Sequence, residues 1–555
     1  MYISFQNAVF SAVFCGLTTH LLFNKFEDRH LTLLSRLLVV LPLIPAALFL
    51  SHCTSSFSAL CVAYAICYIT LLTSIACYRL SPFHPLSKYP GPILARLSKW
   101  WSIYQTYTGK THTTYLELHR KYGRIVRTGP NEVSICDISA IQPVLGADGL
   151  PKGPIWEGRR SQNTSYYALI GVRETAEHLQ RRKIWNKAFN TSHVKAYEPI
   201  LRARLDQLVT TLQSKGDSST PIDLAEWFSF FAYDFMADMS FGGGFELMSE
   251  GDVHGAWKIL EDGLRVQAFT QHLPWAAPFF YRLPGMAVSA AKLRAFIGRI
   301  AKTRVERKAA LMGEDLSSHL LGENDSSREA PPFTQYVPDA FLAVVAGSDT
   351  TATVLSSIFF YLLSEQTILE GLRNEIDDAF PPNQPRRPMD DISQLATLPL
   401  LNAIINETLR LQPPVPTGIQ RTPVAGSGGR AIGSIFVPEG TAINIPPYAL
   451  HRDERYFSPD PDRFLPGRWL VENDNSRVQM QTEPAAFIPF SSGPMNCVGK
   501  PVAQMELRVV VATLVQQLEM RLAPMWERDN WERGLEDFFV FKKGKLPVLL
   551  RERAF

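Results

Sequence analysis

One cysteine stands where metal-ligand chemistry is possible. Cys497 lies in Phe487-Ile488-Pro489-Phe490-Ser491-Ser492-Gly493-Pro494-Met495-Asn496-Cys497-Val498-Gly499-Lys500, just ahead of a helical stretch. Glycines let a backbone approach a flat ligand closely. A thiolate near a helix N-terminus is stabilised by N–H groups and the positive dipole end. Those N–H groups also tune a metal bound to the sulfur. The same pattern fits a buried, inert cysteine. A second cluster interrupts the apolar run 338–354: Ala346-Gly347-Ser348-Asp349-Thr350-Thr351 puts an acid among alcohols in mid-helix. Such residues disfavour helix interiors, and a buried carboxylate must be satisfied. Either a helix boundary falls there, with Ser348 or Asp349 as N-cap, or the helix opens to admit a diatomic ligand and relay protons.

Two charged patterns remain open in the same way. Glu407 and Arg410 lie three apart in the helical stretch 400–411 and share a face. They form either a surface pair worth about a few tenths of a kcal/mol or a buried brace. The basic segment 177–185 (Glu-His-Leu-Gln-Arg-Arg-Lys-Ile-Trp) reads from charge alone as a solvated face.

The elements that must position these residues follow from periodicity. Residues 101–122 read as helix, and 123–135 as two short strands around Gly129-Pro130-Asn131. Most of 174–412 has helical spacing, 413–470 is rich in turns and strands, and a last helix runs over 499–521. The expected fold is mainly α with small β-sheets and one large core.

Residues 1–24 carry no Asp, Glu, Lys or Arg, and none occurs between Arg36 and Arg79. A spanning helix needs about 20 apolar residues. This predicts a membrane anchor over 1–80 of two to three spans, near 6–23, 33–50 and 57–78, the first either spanning or lying in the interface. A proline-rich linker over 81–100 and a body over 101–555 follow. Arg79, Lys88, Arg96 and Lys99 after the last span predict a cytosolic body, so the sequons at Asn163, Asn190, Asn324 and Asn406 should stay unglycosylated. Five of seven cysteines fall in the first 80 residues, and no zinc spacing occurs. A net charge of +3 gives no reason to expect nucleic-acid binding.

The cysteine segment resembles the haem-binding loop of cytochrome P450 haem-thiolate monooxygenases, Phe-x-x-Gly-x-Arg-x-Cys-x-Gly, at Phe490, Gly493, Cys497 and Gly499. Met495 departs from it, standing where the family usually has an Arg or His that contacts a haem propionate. Residues 346–351 resemble the family's oxygen-binding motif, including Gly347. The resemblance implies haem b with Cys497 as axial thiolate, Thr350 as the alcohol that steadies activated oxygen, and Asp349 as the acid that helps deliver protons. It makes Glu407 and Arg410 a buried pair joined by a later arginine, Arg463 in Pro461-Asp462-Arg463-Phe464, as a structural triad. His178, Arg182 and Arg421 become propionate contacts.

The implied activity is insertion of one atom of O₂ into a lipophilic molecule, by hydroxylation or epoxidation. With no flavin module read in the chain, electrons are expected from a separate NADPH-dependent reductase, met by Lys187, Lys500 and Arg508. The implied location is the endoplasmic reticulum membrane. By family position the pocket draws on 150–175, Val344, 415–419 and 538–540. The anchor and loops are similar to those of fungal secondary-metabolism members, which suggests a terpenoid or related substrate. Other readings are a haem-thiolate isomerase or dehydratase acting on a peroxide, and a non-catalytic haem-binding protein.

Overall fold

A computed structural model describes residues 4–25, 33, 35–159, 166–216, 220–253, 255–280, 282–307, 315–323, 329–382, 384–470 and 480–554. The chain divides into two units, Met1–Ser102 with Val126–Glu132, and Ile103–Ile125 with Val133–Phe555. The proline-rich stretch is hydrogen-bonded within the first unit. Pro90 O accepts from the Arg127 N–H, and the buried Arg127 guanidinium donates to Arg79 O at 3.0 Å and Pro130 O at 2.8 Å.

In the first unit, helix Phe5–Lys25 packs on helix Ser56–Leu80 through small residues: Ala8, Ala12 and Cys15 against Ala59, Ala63 and Cys67. A Cβ on Gly16 would lie 2.6 Å from Cys67 O, so only glycine permits this approach. Ser55 caps Ser56–Leu80 by accepting from Ser58 N. Phe10, Phe14, Ile69 and Leu72 face outward, each about two-thirds exposed or more. Ser56–Leu80 is long and apolar enough to cross a membrane. The expected span at 33–50 carries two prolines in its helical run. Among the described residues it is helical at Leu33 and Ser35, over Arg36–Val40 and over Leu43–Phe49. Pro42 and Pro45 lack the N–H groups that would continue the ladder.

The second unit is mainly helical. Its longest element, Phe333–Ser364, packs along Leu224–Phe241. It too is apolar enough to span a membrane, but most of it is buried as a core helix. It runs unbroken through Ser348, Asp349 and Thr350, which excludes the helix-boundary alternative. The polar side chains are satisfied locally: Ser348 Oγ donates to Ala232 O, and Thr353, Ser356 and Ser357 donate to carbonyls one turn back.

Two of the small sheets pair antiparallel near the C-terminus. Pro547–Glu552 lies between Ile222–Asp223 and Leu518–Leu522, and Glu536–Phe538 forms a hairpin with Val540–Lys542. The last helix stops at Gln517, earlier than predicted. From Leu518 the sequence alternates (Leu518, Met520 and Leu522 against Glu519 and Arg521), which suits the strand it forms.

Candidate active site

The cysteine loop is held from both ends. Ile488 N donates to His451 Nε2 at 3.0 Å, and Cys497 N donates to Phe490 O at 2.9 Å, closing the turn. Gly493 has φ +71°, and a Cβ there would lie 1.9 Å from Leu145 O, so the position demands glycine. The helix Lys500–Gln517 begins directly after Gly499. Cys497 has open surface yet lies deep within the unit, so its thiol faces interior space. Burial pushes the thiol pKa up. The N–H groups of Gly499 and Lys500 and the charges of Arg182 and Lys500 oppose this and favour thiolate. Arg182 grips the loop: Nη1 donates to Asn496 O at 2.6 Å and Nη2 to Asn496 Oδ1 at 3.0 Å.

On the long helix, Ala346 is exposed, and Thr350 lies one turn on, donating to Ala346 O at 2.7 Å. Asp349 points to the neighbouring helix, where Tyr233 donates to its Oδ1 at 2.8 Å. Burial raises the Asp349 pKa to about 6, while Lys543 and the tyrosine hydroxyl pull it down. Where a side chain of Gly347 would sit, Met236 already stands; a Cβ would lie 2.5 Å from its sulfur. Gly347 thus lets two helices meet. The helix also touches the cysteine helix, where the buried Glu506 is hydrogen-bonded to Thr351.

Glu407 and Arg410 are fully buried and bidentate, at 2.8 Å for both contacts. Arg410 also donates to the carbonyls of His451, Pro461 and Arg463. The third arginine is not Arg463, whose side chain is exposed beside Asp460. It is Arg468, buried, with Nε 3.1 Å from Glu407 Oε1. Trp469 Nε1 donates to Oε2 at 2.9 Å and Leu465 N to Oε1 at 2.8 Å. The reason is local: Asp460 takes φ +53° and turns Pro461-Asp462-Arg463 outward, whereas the 3-10 turn Pro466–Trp469 carries Arg468 back. His451 was missed by the sequence reading. It is fully buried, its Nδ1 lies 3.1 Å from Arg410 O, and burial lowers its pKa to about 3. It therefore links the Glu–Arg brace to the cysteine loop as a neutral ring.

The propionate candidates meet around a residue that the sequence reading did not single out. Lys152 Nζ, buried, lies 2.9 Å from Leu169 O and 3.1 Å from His178 Nδ1. Arg421 Nη1 reaches Leu150 O at 3.2 Å and Met495 Sδ at 2.6 Å. Arg421 Nε and Nη2, His178 Nε2 and Trp185 Nε1 are buried without a hydrogen-bond partner. Unpaired buried donors on a cation call for an anion. With Cys497 this donor set fits a haem: a sulfur ligand and cationic donors for carboxylates.

The predicted pocket segments are apolar or aromatic. Val415, Thr417 and Ile419 are half-buried, Val344 is buried, and Phe539 stands at the hairpin tip with φ +86°, its N–H bonded to Asp537 Oδ1. Trp156 meets the Phe539 ring edge-on at 5.5 Å. Part of 150–175 lies outside the described residues, as do Asn163 and Asn324. Lys187 and Lys500 are exposed, while Arg508 donates to Asn402 Oδ1.

Comparison with known proteins gives a consistent picture. The family model described as Cytochrome P450 matches residues 90–545. The chain is 33% identical over 490 residues to Cytochrome P450 monooxygenase FCK2 of Fusarium pseudograminearum, covering 87% of this chain and 85% of that protein. It is 31% identical to Cytochrome P450 monooxygenase lcsK of Purpureocillium lilacinum over 98% of both chains. It is 31% identical to Tryprostatin B 6-hydroxylase of Aspergillus fumigatus, over 87% of this chain and 84% of that one.

Proposed function

The chain belongs to the cytochrome P450 family of oxidoreductases, and from that premise we propose that it is a membrane-bound haem-thiolate monooxygenase acting on a lipophilic small molecule, a terpenoid or related secondary metabolite. Bound at Cys497, haem b supplies the oxygen activation that no side chain can perform. The chain's own residues do the rest. Gly499 and Lys500 N–H groups and the Arg182 and Lys500 charges oppose the rise that burial imposes on the Cys497 thiol, and a bound iron would complete its conversion to thiolate. His178, Arg182 and Arg421 surround the propionate side. Asp349, with its pKa near 6, is suited to pass protons near neutral pH, and Thr350 presents a hydroxyl one residue on. The half-buried Val415 and Ile419 and the aromatic hairpin tip suit a hydrophobic substrate and exclude water. Among the relatives, one is named as a hydroxylase of tryprostatin B, which supports hydroxylation of a small organic molecule.

Electrons come from a separate NADPH-dependent reductase, and the exposed Lys187 and Lys500 suit an acidic partner surface. The membrane is the endoplasmic reticulum, with the body on the cytosolic side. The carrying observation is a thiol deep in the unit, open to interior space, with two backbone N–H groups on its sulfur. The test is the ferrous–carbon monoxide difference spectrum of the full chain, followed by turnover with reductase and NADPH. Wild type should give the thiolate-type band and an oxygenated product; Cys497→Ser should lose both. Unchanged pigment and turnover in the serine variant would reject the assignment. Intact pigment without product from any lipophilic panel would favour a binding role.

A further inference from the structure

Two unfavourable features meet at the tip of the hairpin formed by Glu536–Phe538 and Val540–Lys542. Phe539, between the paired Phe538 and Val540, takes φ +86°. A bulky side chain disfavours that backbone, whereas glycine adopts it freely. Two residues earlier, Asp537 is buried, with Oδ2 left without a hydrogen-bond partner. A buried carboxyl short of a partner is also destabilising. Strain of this kind persists only where the surroundings hold it, and it gathers at functional sites.

One residue holds the other. Asp537 Oδ1 accepts from the Phe539 N–H at 3.0 Å, and the Thr417 side chain is hydrogen-bonded to the same carboxyl. The Asp537 N–H in turn donates to Gly109 O at 2.7 Å. The turn so fixed presents two rings to two different elements. Phe539 has the Arg159 guanidinium over its ring at 4.3 Å and Trp156 edge-on at 5.5 Å. Phe538 has Arg265 over its ring at 5.0 Å and lies 6.5 Å from Phe269. Those two elements also meet each other. Arg159 Nη1 donates to Gln271 Oε1 at 3.0 Å, and a Cβ on Gly158 would lie 2.3 Å from Thr270 O. Cation and edge contacts on a ring have preferred geometries and so fix its plane. Phe539 is therefore pinned, by its backbone from below and by Arg159 and Trp156 around its ring.

We propose that Asp537 is a positioning residue that holds Phe539 as a fixed wall of the substrate cavity, so that this turn limits the bulk of the lipophilic molecule the site accepts. The proposal rests on the haem reading above and deepens it: the substrate is a compact scaffold, and bulky ones are turned away by a ring that cannot swing aside.

The experiment uses the full haem-loaded chain in detergent and needs no known substrate. Azole nitrogen binding at the iron is read from the Soret shift, with imidazole as the small probe and clotrimazole as the bulky one. Phe539→Gly deletes the ring and relieves the turn; it should tighten clotrimazole about tenfold, the scale of a pocket-size change, and leave imidazole unchanged. Asp537→Ala frees the Phe539 N–H and should move the ratio of the two dissociation constants the same way at unchanged haem content. Asp537→Asn keeps an acceptor for that N–H and should return the ratio towards wild type. If Asp537→Ala fails to fold, the double variant with Phe539→Gly decides, because a glycine turn no longer needs the clamp; it should fold and match Phe539→Gly alone. A ratio unmoved by Phe539→Gly, or moved towards weaker clotrimazole binding, would overturn the proposal. So would a double variant that fails to fold or departs from Phe539→Gly. A wild-type chain that binds no haem, or whose haem imidazole cannot reach, would instead overturn the functional reading beneath it.

Discussion

Asp349 and Tyr233 show how much one hydrogen bond decides at the residue scale. The carboxyl is pushed to about 6 by burial, and the tyrosine donor stabilises its ionised form. Tyr233→Phe removes that donor and must raise the pKa further. If protonated Asp349 feeds protons to activated oxygen, coupling of NADPH use to product should fall as pH rises through about 6. The inflection should move upward in Tyr233→Phe and vanish in Asp349→Asn; a profile unmoved by Tyr233→Phe would sever the tyrosine from proton delivery. The stability sign is fixed by the same shift. The folded pKa lies above an unfolded value of about 3.9. This contribution is therefore fully present below about pH 4 and lost as pH rises through 6. Denaturant titrations of wild type against Asp349→Asn should show that difference. Cys497, Asp349 and Thr350 were readable in the sequence because a thiol among glycines and an acid in an apolar helix are locally anomalous. Tyr233 and Lys152 were not. Their roles depend on which helix or loop lies opposite, and Tyr233 is 116 residues from its partner.

At the scale of elements, the Glu407 cage ties the helix Pro399–Leu411 to the Pro466–Trp469 turn and, through His451, to the cysteine loop. The sequence disclosed the Glu–Arg spacing but offered two arginines five residues apart, each in a Pro-x-Arg run. Only the turn geometry, with Asp460 at positive φ, separates the outward Arg463 from the inward Arg468. The two make opposite predictions. Arg468→Ala leaves Glu407 short of one buried cationic partner, and breaking such a network costs about 3–5 kcal/mol. Arg463→Ala removes an exposed side chain and should change stability by less than about 0.5 kcal/mol. Thermal unfolding with haem content of the soluble fraction checks both: Arg468→Ala should lose pigment and fold together, and Arg463→Ala should be indistinguishable from wild type. The helix classes and small sheets were legible from periodicity. The early end of the last helix was not, since 499–521 carries apolar residues compatible with either state until pairing with Pro547–Glu552 selects the strand.

For the whole molecule, membrane attachment and orientation follow from separable physics. Ser56–Leu80 is 25 residues long, about 37 Å at the helical rise, and exceeds the hydrocarbon core. Ile69 and Leu72 are exposed on it, so replacing them with lysine removes little packing within the unit. Each lysine near mid-span opposes insertion by about 2.5–3.5 kcal/mol. Ile69→Lys with Leu72→Lys should therefore move the chain from the alkali-resistant pellet toward the supernatant; full retention would show that Phe5–Lys25 suffices as anchor. Orientation has its own reporter. Asn406 is half-buried inside a helix, a poor acceptor whatever its compartment. Asn190 is exposed at a helix N-cap, where a transferase could reach the folded chain or its nascent form. The basic residues that follow Leu80 favour the cytosolic side, so Asn190 should carry no glycan and glycosidase should leave the mass unchanged. A glycan mapped to Asn190 would put the body in the lumen, away from a cytosolic reductase, and would break the proposed electron supply while leaving the cysteine site intact.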